Sequence, residues 1–199
     1  PATVEVPMQT QVTYTATAEQ DESKLGLKSH VVLRNFSGES FTGARVQLDY
    51  GEAFERSIQN EETKRVLFLS KEGLPIEKTF TWDDQQMPWD PEKASTNVGI
   101  PVSYAVLNAK DAGLGENGLW GGKARVYQKD GHDSTIFLGE DSLGFTPVGE
   151  RAKVRLGESR DIVVTQKKIK EEQINLRRNN RRAVILYDTD ELVEAKIEN

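Results

Sequence analysis

Two adjacent acidic pairs, Asp83-Asp84 and Glu140-Asp141, are the residues whose types could do chemistry most directly, because glycoside hydrolysis needs only two carboxyl groups flanking one bond. With 32 acidic residues in the chain such pairs arise by chance, and both read as solvated turn carboxylates. Asp188-Thr189-Asp190-Glu191 sets hard oxygen donors close together as a calcium loop would, but lacks the glycine and distal glutamate of an EF-hand loop. Aspartate is a standard turn former, so a plain hairpin turn is predicted there. The two histidines, His30 and His132, are too few for a multi-histidine metal centre. A Gly-x-Ser-x-Gly nucleophile elbow is absent. Gly113-Leu114-Gly115 and Gly121-Gly122 do not lie between a strand and a helix, as a phosphate-cradling loop must, and read as bend glycines. No catalytic, cofactor-binding or metal-ligating residue is assigned.

Binding is the chemistry that remains. Trp120 sits in a glycine-flanked loop, where an aromatic is either a plug over the end of a sandwich or a stacking platform. Trp82 and Trp89 would join it in a sugar-binding surface only if all three were exposed together. Residues 166–182 form a basic island in which Lys167, Lys168, Lys170, Arg177, Arg178, Arg181 and Arg182 face only Glu171 and Glu172. The island suits an anionic surface, or else is the solvated face of a long strand pair whose Ile174 and Leu176 touch the core. Asn35-Phe36-Ser37 has the glycosylation acceptor pattern, which is common by chance.

The elements that must position these residues are strands. Val12, Tyr14 and Ala16 alternate with threonines, and Leu25, Leu27, Val31 and Leu33 share one face. Ala44, Val46, Leu48 and Tyr50 repeat the pattern after the turn residues 35–38. Strands are also predicted at 64–70, at 77–82, and through Val102-Tyr104-Val106, Ala124-Val126 and Ala152-Val154-Leu156. One strand starts at Ile162, another covers Val184–Tyr187, and Leu192–Glu198 forms the last. Residues 83–93 carry two prolines that disfavour helix before them, and mark a boundary between an N-terminal unit (1–92) and a C-terminal unit (93–199). The predicted fold is all-β: two packed antiparallel β-sandwich-like units with little helix, or one elongated sandwich.

Charge narrows the partners. A net charge of −6 in 199 residues argues against nucleic acid, whose phosphates demand basic patches. No apolar run approaches the ~18 residues of a membrane span. The absence of cysteine removes disulfides and thiolate sites and fits cytosol and cell envelope alike.

The run LNAKDAGLG, then GGKARVYQKDG, then FLGEDSLGFTPVGERAKVRLGESRDIVV resembles the bacterial domain-of-unknown-function family number 4139, the C-terminal β domain of mucoidy-inhibitor-like proteins. The matching positions are Asn108, Gly113 to Gly115, Gly122 to Tyr127, Leu138 to Asp141, Thr146 to Gly149, Gly157 and Asp161, and residues 35–51 resemble an upstream segment. Leu119-Trp120-Gly121-Gly122 departs from the family's Leu-Pro-Ala-Gly turn. The resemblance implies a truncated C-terminus, an exported or cell-envelope setting with the cytoplasm as the other compartment, and no catalytic residues to carry over. The expected function is a non-catalytic interaction or structural module of a bacterial cell-envelope protein, with a protein or envelope polymer as partner and an undefined oligomeric state. The alternative is a carbohydrate-active protein, either a sugar-binding module or a glycoside hydrolase.

Overall fold

A computed structural model describes residues 9–46, 54–83, 95–96 and 99–199. The alternation in the sequence becomes strand where it is cleanest. β1 (Gln9–Ala18) buries Val12, Tyr14, Ala16 and Ala18, and β2 (Lys24–Arg34) buries Leu25, Leu27, Ser29, Val31 and Leu33. Successive side chains of a strand point to opposite faces, so each of these sets lines one side of its strand. The two strands pair antiparallel from Gln9↔Arg34 to Ala18↔Leu25 without a register break.

The remaining described strands are β3 (Phe41–Val46), β4 (Phe54–Ile58), β5 (Thr63–Pro75), β6 (Glu77–Phe80), β7 (Ser95–Thr96), β8 (Ile100–Leu107), β9 (Gly122–Lys129), β10 (Thr135–Leu143), β11 (Arg151–Ser159), β12 (Val163–Arg178) and β13 (Val184–Glu198). Among the described residues the only helix is one 3-10 turn at Lys110–Ala112, so the fold is all-β. Its sheets have the orders β10-β9-β1-β2-β5, β11-β8-β6, β13-β12-β7 and β3-β4. β1·β2, β2·β5, β9·β10, β3·β4, β12·β13 and β7·β12 are antiparallel, whereas β1·β9 is parallel, from Thr13↔Lys123 to Ala18↔Gln128.

The chain divides into two compact units, one of residues 1–79 with 103–157 and the other of residues 80–102 with 158–199. In the first unit, Tyr14, Ala16, Val31, Leu33 and Val126 of the five-stranded sheet share one hydrophobic cluster with Tyr104, Val106, Ala152 and Val154 of β8 and β11. Two inner faces meeting in one apolar layer make this unit a sandwich. The units do not follow the 92/93 boundary: β1 from before it is hydrogen-bonded to β9 from after it. Most of the predicted 83–93 boundary segment, with Trp89, lies outside the described residues, as do Leu48 and Tyr50.

Two fully buried asparagines anchor the loops of the first unit. Asn108 Nδ2 donates to the carbonyls of Asn117 (3.0 Å) and Thr146 (3.2 Å), while its Oδ1 accepts the Gly115 N–H at 2.9 Å. Its backbone N–H donates to the Glu150 carbonyl at 2.9 Å, and its own carbonyl accepts the Gly149 N–H at 2.8 Å. Gly115 must be glycine: its φ is +83°, and a Cβ there would lie 2.5 Å from the Lys110 nitrogen. Asn35 does the same work at another loop, donating to the carbonyls of Glu39 (2.7 Å) and Gln59 (3.0 Å) and accepting the Ser37 hydroxyl at 2.7 Å. An amide so enclosed is a loop anchor, and a glycan on it would require this network to open.

Candidate interaction surface

The second unit carries a long two-stranded ribbon. β12 and β13 run antiparallel from Val163↔Glu198 to Arg178↔Val184, and β7 covers β12 only at Thr165 and Gln166. Val164 and Gln166 are buried at this base, and from Glu171 onward every residue of the ribbon is exposed. A two-stranded hairpin with both faces in water is marginally stable by itself. Among the described residues the ribbon's edges have no strand partner other than β7, and open edges are templates for association.

This arrangement corrects two expectations. Asp188-Thr189-Asp190-Glu191 is no hairpin turn but the middle of β13, paired with Ile174, Gln173, Glu172 and Glu171. With neither face packed on a core, no apolar alternation was required there, and acidic residues stay in strand. Ile174 and Leu176 are 40% and 43% exposed and do not reach a core. Glu171 lies directly across from Glu191 and Glu172 across from Asp190, an arrangement that like charges destabilise. Lys168, only 11% exposed, answers the first pair by bridging Glu171 and, at 3.7 Å, Glu191. Lys170 answers the second by meeting Glu172 at 2.5 Å.

The actual turn lies at the tip, among the arginines. The Asn179 N–H donates to the Ala183 carbonyl at 2.9 Å, and Asn179 Oδ1 accepts the N–H groups of Arg181 (2.9 Å) and Ala183 (3.1 Å). Arg178 Nη1 donates to the Arg182 carbonyl at 3.0 Å. Arg182 holds φ +62°, a left-handed conformation that favours glycine or asparagine and costs other residues about 1 kcal/mol. Arg177 stands opposite Leu186 and Arg178 opposite Val184, so guanidinium groups and apolar side chains share a face. Arg177, Arg178, Arg181 and Arg182 are all exposed and are brought together at this tip.

The tryptophans are placed differently. Trp120 is half-buried and packs against the sandwich core, and its carbonyl accepts the Tyr14 hydroxyl at 2.8 Å. This fits the plug. Trp82 belongs to the other unit and is half-buried there.

Of the acidic candidates, Asp84 lies outside the described residues, and Glu140 and Asp141 do not form a catalytic pair. Glu140 receives Lys123 Nζ and Arg125 Nε, each at 2.6 Å, which together hold its carboxyl below the usual range. Asp141 accepts the backbone N–H of Arg155 at 2.8 Å and so ties β10 to β11. A general acid needs a raised pKa, the opposite of what surrounds Glu140. His132 is exposed in the β9–β10 turn, where its N–H donates to Asp130 Oδ1 at 2.8 Å. Among the described residues no group of three or more His, Asp or Glu is disposed to hold a metal ion. No described helix is long and apolar enough to cross a membrane.

The ribbon was only half visible in the sequence. The basic island marked its tip, but its length was hidden by the acidic segment read as a turn. Fold and surface together define an all-β sandwich unit accompanied by a unit bearing an exposed two-stranded ribbon. No family model, curated protein or solved structure matches the chain.

Proposed function

We propose that the chain is a non-catalytic interaction module of a bacterial cell-envelope protein, in which the sandwich is scaffold and the β12–β13 ribbon is the binding element. The observation that carries this reading is a ribbon of 16- and 15-residue strands, exposed throughout beyond its base and, among the described residues, covered by β7 at two residues only. Strand edges of this kind recognise partners by adding a strand or docking a face. The envelope setting rests on the resemblance of residues 107–161 to exported β domains. Over the carbohydrate-active alternative, the reading is favoured by the ion-paired state of Glu140 and by the packing of Trp120 against the core.

The test is a pull-down from bacterial envelope extract with the intact chain and with a variant in which Arg178–Ala183 is replaced by a short Asn-Gly turn, alongside a reducing-sugar assay on envelope glycans. Retention of a partner by the intact chain alone, without sugar release, is expected. Equal retention by both chains, or turnover of a glycan, would overturn the proposal.

A further inference from the structure

We propose that the tip of the β12–β13 ribbon docks on an anionic phospholipid bilayer, with its arginines on headgroup phosphates and the neighbouring apolar side chains in the interface. The inference rests on the ribbon being the binding element and names its partner. Residues 173–187 carry four arginines and no acid; because the whole chain carries −6, the remaining residues together carry −10. The tip is therefore the part of the chain that an anionic surface attracts against the negative charge of the remaining residues.

Among the described residues no carboxylate pairs with any of the four guanidinium groups, and the nearest acid in register, Asp188, accepts Asn175 Nδ2 at 2.8 Å. Beside the arginines, Leu176, Val184, Ile185, Leu186 and Tyr187 are between 39% and 64% exposed. A soluble polyanion would engage the arginines and leave these five in water. A bilayer interface takes both, because an arginine beside an inserted leucine or isoleucine lays its stem along apolar surface and keeps its charge at the phosphates. Arg182 also holds a left-handed backbone position that glycine would fill without strain.

The experiment is flotation of the intact chain with vesicles of phosphatidylglycerol and phosphatidylcholine in equal parts, against phosphatidylcholine alone and against heparin. Binding to the anionic vesicles is expected, falling steeply as salt rises because screening shortens the reach of the charges. Arg181→Glu with Arg182→Glu should abolish it. Arg182→Gly relieves backbone strain, so it should keep or raise the melting temperature and yet weaken vesicle binding about five-fold. Ile185→Ser with Leu186→Ser should weaken vesicle binding and leave heparin binding unchanged.

Equal binding to uncharged vesicles, or vesicle binding indifferent to the Ile185 and Leu186 changes, would overturn the proposal, the second outcome in favour of a simple polyanion site. Self-association through the ribbon without vesicle binding would overturn it in favour of a second copy. If an envelope protein extract protects the ribbon from hydrogen exchange while vesicles do not, the lipid is wrong and the interaction module stands; protection by neither removes both.

Discussion

Replacing Asn108 by alanine removes three side-chain hydrogen bonds at once from a site with no solvent access, leaving two carbonyls and one N–H to find other partners. At a net value of about 1 kcal/mol per bond the loss is about 3 kcal/mol, more if the orphaned groups stay dry. For a domain of this size that lowers the melting temperature by about 10 °C. Asn108→Asp sharpens the test. A carboxylate presents an oxygen to the carbonyls of Asn117 and Thr146 where the amide donated, so at neutral pH it should be at least as harmful as alanine. Protonation should then recover part of the loss in acid. Calorimetry of both variants, with hydrogen exchange at Gly115 and Gly149, measures these effects. A shift of less than about 1 kcal/mol for alanine, or an aspartate variant milder than alanine, would refute the assignment of Asn108 as the donor that pins these loops.

Three further outcomes are expected. Burial pushes the Tyr14 phenol up to about 12. The unfolded chain therefore releases this proton first, and stability falls as pH rises above about 10. Burial and then Glu22 push Tyr104 upward as well, in the same sense; Tyr14→Phe should remove part of the alkaline loss in denaturant titrations and alter Trp120 fluorescence. His30 is held below its ordinary value by burial, then by Arg65 and Lys28, so its contribution is complete above the ordinary histidine pKa and declines as pH falls below it. A His30→Gln variant with the same acid-side slope as the parent would contradict this. In the ribbon, Lys168→Gln should speed hydrogen exchange across β12 and β13 by exposing the repulsion between Glu171 and Glu191, and Glu191→Gln should reverse it; additive effects in the double variant would dissociate the lysine from that pair.

Strands with one face on the core were legible. Val12-Tyr14-Ala16 and Leu25-Leu27-Val31-Leu33 alternate because burial selects every second residue. The parallel β1·β9 pairing was not, because it joins residues more than 100 positions apart and no local pattern specifies such a partner. The ribbon failed for the reverse reason: with water on both sides, residues 188–191 bear no periodic constraint, and composition alone resembled a turn. Asn108 enters the sequence reading only as a position of the family resemblance, and its role lies in carbonyls supplied by Asn117 and Thr146. Asn35 was read as an acceptor tripeptide, since sequence does not show that its amide is enclosed. The four tip arginines were readable as a charge island. The left-handed backbone of Arg182 was not, because a turn of this kind would be predicted to carry glycine there.

Hydrogen–deuterium exchange of the intact chain, with and without a bacterial envelope fraction, tests the ribbon as binding element most directly. Slowed exchange between residues 167 and 195 is expected, with the buried strands of the sandwich unchanged. Protection confined to the sandwich loops, with the ribbon exchanging as freely as before, would contradict it.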